Sequence, residues 1–164
     1  MAAQWLDLAM DLIESQSVLT LSTNDETGPW SAPVYFVCMG GIFYFFSSPQ
    51  SRHIRQALQS KRAAGSIFSQ SDTWESIRGI QMAGKFRPVC SPVRSLKVIA
   101  IYLKRFPFTR TFFPKHPAPD LTAFFTTFKA KLFAFTPTQV FYVDNRFGLG
   151  TRQQIDWPIN QEGK

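Results

Sequence analysis

The sequence predicts a mainly β domain, an antiparallel barrel or sandwich of six short strands with helices at its periphery. Three observations predict it. Short runs rich in β-branched and aromatic residues recur along the 164-residue chain, each bounded by turn residues. The apolar period switches from two to about 3.6 only in short connecting segments. The length fits one domain, residues 1–164, since hydrophobic cores organise into units of roughly 100–200 residues.

The elements follow in order. Residues 4–14 set Trp5, Leu6, Ala9, Leu12 and Ile13 on one face and Asp7, Asp11 and Glu14 around the other, a short amphipathic helix. Val18–Ser22 is a strand, and Asn24-Asp25-Glu26-Thr27-Gly28 a turn. Trp30–Met39 and Ile42–Ser47 flank Gly40-Gly41, so residues 30–47 are expected to form a hairpin. Pro33 cannot donate to a ladder, which calls for an edge strand or a bulge. After Pro49, Ser51–Gln59 has Ile54, Ala57 and Leu58 on one side and Arg52, Arg55, Gln56 and Gln59 on the other, a helix with Ser51 as its N-cap. Ala63–Phe68 and Ile77–Val89 are strands, the second interrupted at Gly79 and Gly84. Residues 92–130 read as a helical and loop insertion: a helix opened by Pro92, a stretch holding Pro107, Pro114, Pro117 and Pro119, and a short helix at Leu121–Phe128. Lys131–Val143 is the sixth strand, and Thr151–Trp157 a candidate last one.

Composition narrows the function classes. Hydrophobic residues make up 45% of the chain and 17 residues are Phe, yet no apolar run approaches the ~20 residues that span a bilayer. The start MAAQWLDLAMDLIES carries Asp7 and Asp11 and no early Lys or Arg, unlike a signal peptide. Cys38 and Cys90, without a CxxC, point to a reduced cytoplasmic protein. The net charge of +7 is local: residues 85–131 hold ten Lys or Arg and one acid, Asp120. Such a patch suits a phosphate group, a nucleic acid or an anionic surface.

The stretch Phe46-Ser47-Ser48-Pro49-Gln50-Ser51-Arg52-His53 joins a strand to a helix. The opening amides of the helix, the Ser51 hydroxyl and the Arg52 guanidinium all suit a phosphate. The same residues also describe an ordinary capped helix with a surface Arg, and His53 a polar residue of its first turn. Ser31-Ala32-Pro33-Val34 is a strand of small residues on which a flat ring can approach backbone N–H and C=O groups, or a plain edge strand. Arg78-Gly79 is comparable, because a strand Gly often marks close approach. Lys104-Arg105-Phe106-Pro107-Phe108-Thr109-Arg110-Thr111-Phe112-Phe113 interleaves bases with rings, as single-strand nucleic-acid binders do and as any amphipathic segment over a core also does. No G-x-S-x-G, P-loop or G-x-G-x-x-G is present, and His53 and His116 are not at metal-ligand spacing. Hydrolase, metalloenzyme and dinucleotide-fold readings therefore lack support, and no metal is expected.

Taken in order, the helix, VLTLST, WSAPVYFV, IFYFFSS, QSRH and IRGIQMAGK resemble the FMN-binding split-barrel family of pyridoxamine 5′-phosphate oxidase over about residues 4–157. LKRFP and VDNRFGLG look like its YhbP-like subgroup. The resemblance implies a six-stranded antiparallel split β-barrel that binds FMN in a homodimer, with the flavin at the subunit interface. It implies a flavin-dependent oxidoreductase or a non-catalytic flavin-binding module, with nucleic-acid and membrane partners disfavoured. Ser31, Ala32, Pro33 and Val34 would flank the ring. Phe46 and Ser47 stand where relatives often carry Tyr-Thr. Ser51, Arg52 and His53 match a Ser-Arg-Lys phosphate cluster, with His in place of Lys. Gly79 replaces a flavin-contacting Gln, beside Arg78, and Trp157 is a further candidate. The oxidases' Arg-x-His is not matched by Thr151-Arg152-Gln153, so a true pyridoxamine 5′-phosphate oxidase is not expected.

Overall fold

The computed structural model describes residues 2–112 and 129–159. The segment Leu121–Phe128, His116 and the later prolines of the insertion lie outside the described residues. Among the described residues, three α-helices and eight strands follow in the order α1 (Ala2–Ser15), β1 (Val18–Asp25), β2 (Gly28–Tyr35), β3 (Val37–Met39), β4 (Ile42–Ser47), α2 (Arg52–Ser60), β5 (Arg62–Phe68), β6 (Arg78–Pro88), α3 (Pro92–Arg105), β7 (Lys131–Asp144) and β8 (Arg152–Ile155).

All eight strands join one antiparallel sheet, in the order β2-β1-β5-β6-β7-β4-β3. β7 organises it: one edge pairs with β6 along its length, while the other pairs with β4 through Lys131 to Phe135 and with β8 through Val140 to Val143. The sheet curls into a split β-barrel, as the sequence anticipates.

The hairpin expected over 30–47 forms around Gly40-Gly41 but only over residues 37–44. β2 pairs with β1 from Gly28–Asp25 to Tyr35–Val18, and only Val37–Met39 pairs with β4. The break falls at Phe36, which is fully buried and donates its N–H to Ser17 O at 3.2 Å. One expected strand thus becomes two, and with β8 the count rises from six to eight. Pro33 lies on the edge strand β2, opposite Thr20, where its missing donor leaves no gap in the sheet.

Alternation builds two cores from the same strands. Phe43, Phe45, Phe133 and Phe135 face the barrel interior with Leu19, Leu21, Ile67, Ile80 and Tyr142. Tyr44, Leu132 and Ala134 face the opposite way, onto Val98 and Tyr102 of α3 and onto Phe106 just past its end. β4 and the first half of β7 are therefore buried on both faces, which explains their continuous apolar runs. At Ala83/Gly84 the β6–β7 register shifts, and a Cβ on Gly84 would sit 2.2 Å from Thr136 O. Gly84 thus marks a bulge, whereas pairing continues without a shift through Gly79.

Candidate functional site

The strand-to-helix junction forms because β4 ends at Ser47 and α2 starts at Arg52. Between them Ser48 O accepts from Ser51 N at 3.0 Å and from Ser51 Oγ at 2.7 Å, closing a tight turn. Ser51 occupies the N-cap position with extended backbone, φ −67° and ψ 147°. Its hydroxyl, committed to Ser48, does not cap the helix. The first N–H groups of α2 consequently keep no partner inside the helix.

His53 turns back over this junction. Its Nε2 lies 2.9 Å from Ser47 Oγ and 3.4 Å from Ser51 Oγ, and the two hydroxyl oxygens are themselves 3.4 Å apart. The side chain is 9% exposed, and burial holds its pKa below the ordinary imidazole range. At neutral pH His53 is therefore a neutral ring in contact with two hydroxyls.

Arg52 points to the other side of the same helical turn. Its guanidinium donates to Thr27 O at 3.1 Å, Thr27 Oγ1 at 3.0 Å and Gly28 O at 3.3 Å, and lies 4.6 Å over the Trp30 ring. Its Nε is buried without a hydrogen-bond partner among the described residues. Gln56 completes the tether: Oε1 accepts from Thr23 at 2.6 Å, and Nε2 donates to Asp25 Oδ1 at 2.8 Å and to Gly28 O at 3.1 Å. Sequence reasoning put Gln56 on the solvent side of the helix, yet it is 1% exposed. The available signal was its spacing of one turn from Arg52, which aims both at the β1–β2 turn. Asp25 is held below the usual carboxylate range, first by the Thr27 hydroxyl and then by Gln56, Thr27 N–H and the Arg52 charge, against a smaller effect of desolvation.

The other sequence candidates are placed as follows. Ala32 and Val34 are buried, facing the interior, whereas Ser31 and Pro33 are exposed on the outer face. Ser31 Oγ lies 3.3 Å from Ser22 Oγ. Ser22 in turn lines an open cleft of about 480 Å³ with Asn24, Pro29, Ser60, Arg62 and Ala64. Phe46 packs edge-on against Tyr102 of α3, ring centroids 5.0 Å apart. Arg78 and Gly79 pair with Asp144 and Val143, whereas Ser47 pairs with Lys131 at the opposite end of β7. One protomer does not bring them to the α2 junction. Trp157 stacks on Phe43 at 6.0 Å and donates to Gly41 O at 2.8 Å, securing the chain after β8.

One constellation was missed. Asp144 is fully buried, accepts from Tyr142 Oη at 3.0 Å, and is ion-paired to Arg146 at 2.6 Å. Asn145 beside it donates to Trp74 O at 2.8 Å and accepts from Gly150 N at 3.0 Å, which fixes the loop that carries Phe147 and Leu149. The motif VDNRFGLG was visible in sequence, but a buried acid looks like any surface turn until its partner is located. Among the described residues no group of three His, Cys, Asp or Glu is placed to hold a metal.

The α2 junction offers an anion the opening N–H groups of the helix and the Arg52 guanidinium, whose Nε has no partner among the described residues, with the Ser47 and Ser51 hydroxyls and the His53 ring beside them. Asp25 at the end of β1 is occupied by Gln56 and Thr27. On this observation the residues fit a phosphate-bearing cofactor.

Comparison with known proteins agrees on the fold. The chain superimposes on a haem-binding protein of Mycobacterium smegmatis with a TM-score of 0.69 at 18% identity, covering 94% of this chain and 57% of that one, a little over half its length. It matches a candidate pyridoxamine 5′-phosphate oxidase of Listeria innocua with a TM-score of 0.61 at 13% identity, covering 82% and 94%. An FAD-binding protein of Mesorhizobium loti gives 0.59 at 13% identity, covering 81% and 89%. These are split-barrel proteins of the pyridoxamine 5′-phosphate oxidase type. No family model matches the chain. In sequence it is 25% identical over 147 residues to a UPF0306 protein of Klebsiella pneumoniae, covering 88% of this chain and 87% of the relative. It is 30% identical over 107 residues to a UPF0306 protein of Cronobacter sakazakii, covering 64% of this chain and 74% of the relative. On the strength of that match, the chain belongs to the UPF0306 family.

Proposed function

We propose that this protein binds FMN and acts as a flavin-dependent oxidoreductase. The observation that carries the reading is the cluster Ser47, Ser51 and His53 at the opening of α2, with Arg52 beside it, in a barrel shared with flavin-binding proteins. Bound FMN supplies hydride or electron transfer. The chain's own part is to hold the phosphate at the α2 junction and to offer the outer face of β2, at Ser31 and Pro33, to the ring. Arg78 and Gly79, remote from that junction in one protomer, reach the same flavin from a second copy, so the active species is a homodimer. Cys38 and Cys90 are both free thiols, in keeping with a cytoplasmic setting.

The test is retention of FMN through purification, or its titration by quenching of flavin fluorescence. Stoichiometric binding supports the reading, and protein with no affinity for FMN ends it. Arg52→Ala is expected to weaken binding by about 2–4 kcal/mol, as for a charge-assisted contact. Because Arg52 also tethers the β1–β2 turn, a melting curve of the variant separates lost binding from lost fold.

A second reading, haem binding, is favoured by fold neighbours that include the Mycobacterium smegmatis protein and the haem storage protein HutZ of Vibrio cholerae, TM-score 0.64. The visible spectrum of protein offered both ligands decides between them.

A further inference from the structure

Where the Ser-Arg-Lys cluster carries a permanent cation, this chain places an imidazole that is nine-tenths buried and bonded to a serine hydroxyl. From this geometry we infer that His53 makes anion capture at the α2 junction proton-coupled, so that the site takes up a proton as it binds a terminal phosphate dianion. The inference rests on the proposed phosphate site and names its specificity and regulation.

The hydrogen-bond inventory drives the argument. Ser51 gives its only proton to Ser48 O, so toward His53 and toward a ligand its oxygen can only accept. Ser47 faces Nε2 at 2.9 Å, and in the neutral tautomer protonated at Nδ1 its proton is donated to that nitrogen. In that tautomer both hydroxyl protons are directed away from an incoming anion. A proton taken from solvent onto His53 makes Nε2 a donor, leaves Ser47 Oγ to accept from it, and turns the Ser47 hydroxyl proton outward. The same proton places a positive charge beside the anion. A dianion rewards this charge most, a diester monoanion less and a neutral tail not at all.

The fixed cations around the junction, Arg52 on the same helical turn and Lys131 opposite Ser47, add to this charge rather than replace it. On α2, Arg52 is tied to Thr27 and Gly28, and Arg55 is exposed. On β1, Asp25 is bonded to Thr27 and Gln56. β2 carries no charged side chain. Arg62 of β5, Lys85 and Arg87 of β6 and Lys131 of β7 are exposed, and Arg78 is at the far end of β6. The depression of the His53 pKa comes from burial alone. A ligand anion raises that pKa, so between the free and the bound value binding takes up a proton, and affinity falls as pH rises through this window.

Calorimetric titration of FMN into the protein, in two buffers of different ionisation heat, measures the proton uptake. At pH 7 and above the phosphate is already dianionic, its second ionisation lying near ~6. The expected result is uptake of a substantial fraction of one proton, with a dissociation constant that rises by up to about tenfold per pH unit within the window. Riboflavin, which lacks the phosphate, is expected to show no uptake, and FAD less than FMN. His53→Gln is expected to abolish the uptake, and His53→Lys to abolish it while restoring tight binding at pH 8. Imidazole NMR of the wild-type protein, with and without FMN, reads the same shift without any substitution. FMN binding with no uptake, or with uptake unchanged in His53→Gln, overturns the inference and leaves the flavin reading standing. No FMN binding at any pH overturns both.

Discussion

Asp144 shows how much one residue can depend on its surroundings. Its carboxylate is fully buried. Burial pushes its pKa up, but the Arg146 side chain and N–H and the Tyr142 hydroxyl together hold it below the usual carboxylate range. A folded value below the unfolded ~3.9 means the carboxylate contributes stability above that pH and loses it as pH falls through the folded value. Tyr142 has the opposite sign. Burial and its bond to Asp144 push the phenol up to about 12, so its contribution is complete below the unfolded ~10 and is lost as pH rises through that upper value. Removing Arg146 strands the acid. Arg146→Ala is expected to cost about 1–3 kcal/mol in urea unfolding, moderated because the Arg146 side chain is 45% exposed. It should also move acid unfolding to higher pH.

At the scale of elements, the Arg105 side chain joins α1 to α3. Arg105 ends α3 and donates to the carbonyls of Ile13 at 3.0 Å, Glu14 at 3.1 Å and Gln16 at 2.5 Å, meeting the unpaired C=O groups at the end of α1. It also lies 5.3 Å over the Phe36 ring. A cation there complements the negative end of the helix dipole. Arg105→Ala is expected to destabilise the fold by about 1–3 kcal/mol, with protection from hydrogen exchange lost first in α1. Exposed Lys104, one position earlier, should change stability by no more than about 0.5 kcal/mol when replaced by Ala. The comparison bears on the basic segment as well, because Arg105 and Arg94 serve the fold, the latter donating to Tyr44 Oη at 3.1 Å. Phe106, which the sequence offered as a nucleic-acid stacking ring, is 3% exposed.

At the scale of the whole molecule, the chain after β8 returns to the β3–β4 turn. Trp157 covers Phe43 and bonds Gly41, while Gly41 has φ +77° and a Cβ on it would stand 2.0 Å from Pro158 O. Only glycine satisfies both the left-handed backbone and the close approach. Trp157→Ala is expected to cost about 2–4 kcal/mol, since it uncovers part of the barrel core, and thermal unfolding monitored by circular dichroism measures the loss. If Trp157 also touches the flavin, FMN affinity in the surviving folded fraction falls with it. Unchanged affinity assigns the residue to the fold alone.

Local pattern determined a large part of this protein. The extents of β4, α2 and α3, the edge position of Pro33, the bulge at Gly84 and the strand-to-helix junction at Ser47–His53 all follow from periodicity, proline and glycine chemistry, and the junction from its ordered residue types. These are properties of neighbours in sequence, so a sequence records them. Tertiary structure alone decided that β2 pairs with β1 rather than β4, that Gln56 is buried, that Arg52 grips a turn, that Arg78 and Gly79 stand far from Ser47, and that Asp144 is an interior charge. Each of these depends on which distant segment arrives at a given face, and the free energy of burying a polar group is set by that partner rather than by the residue itself.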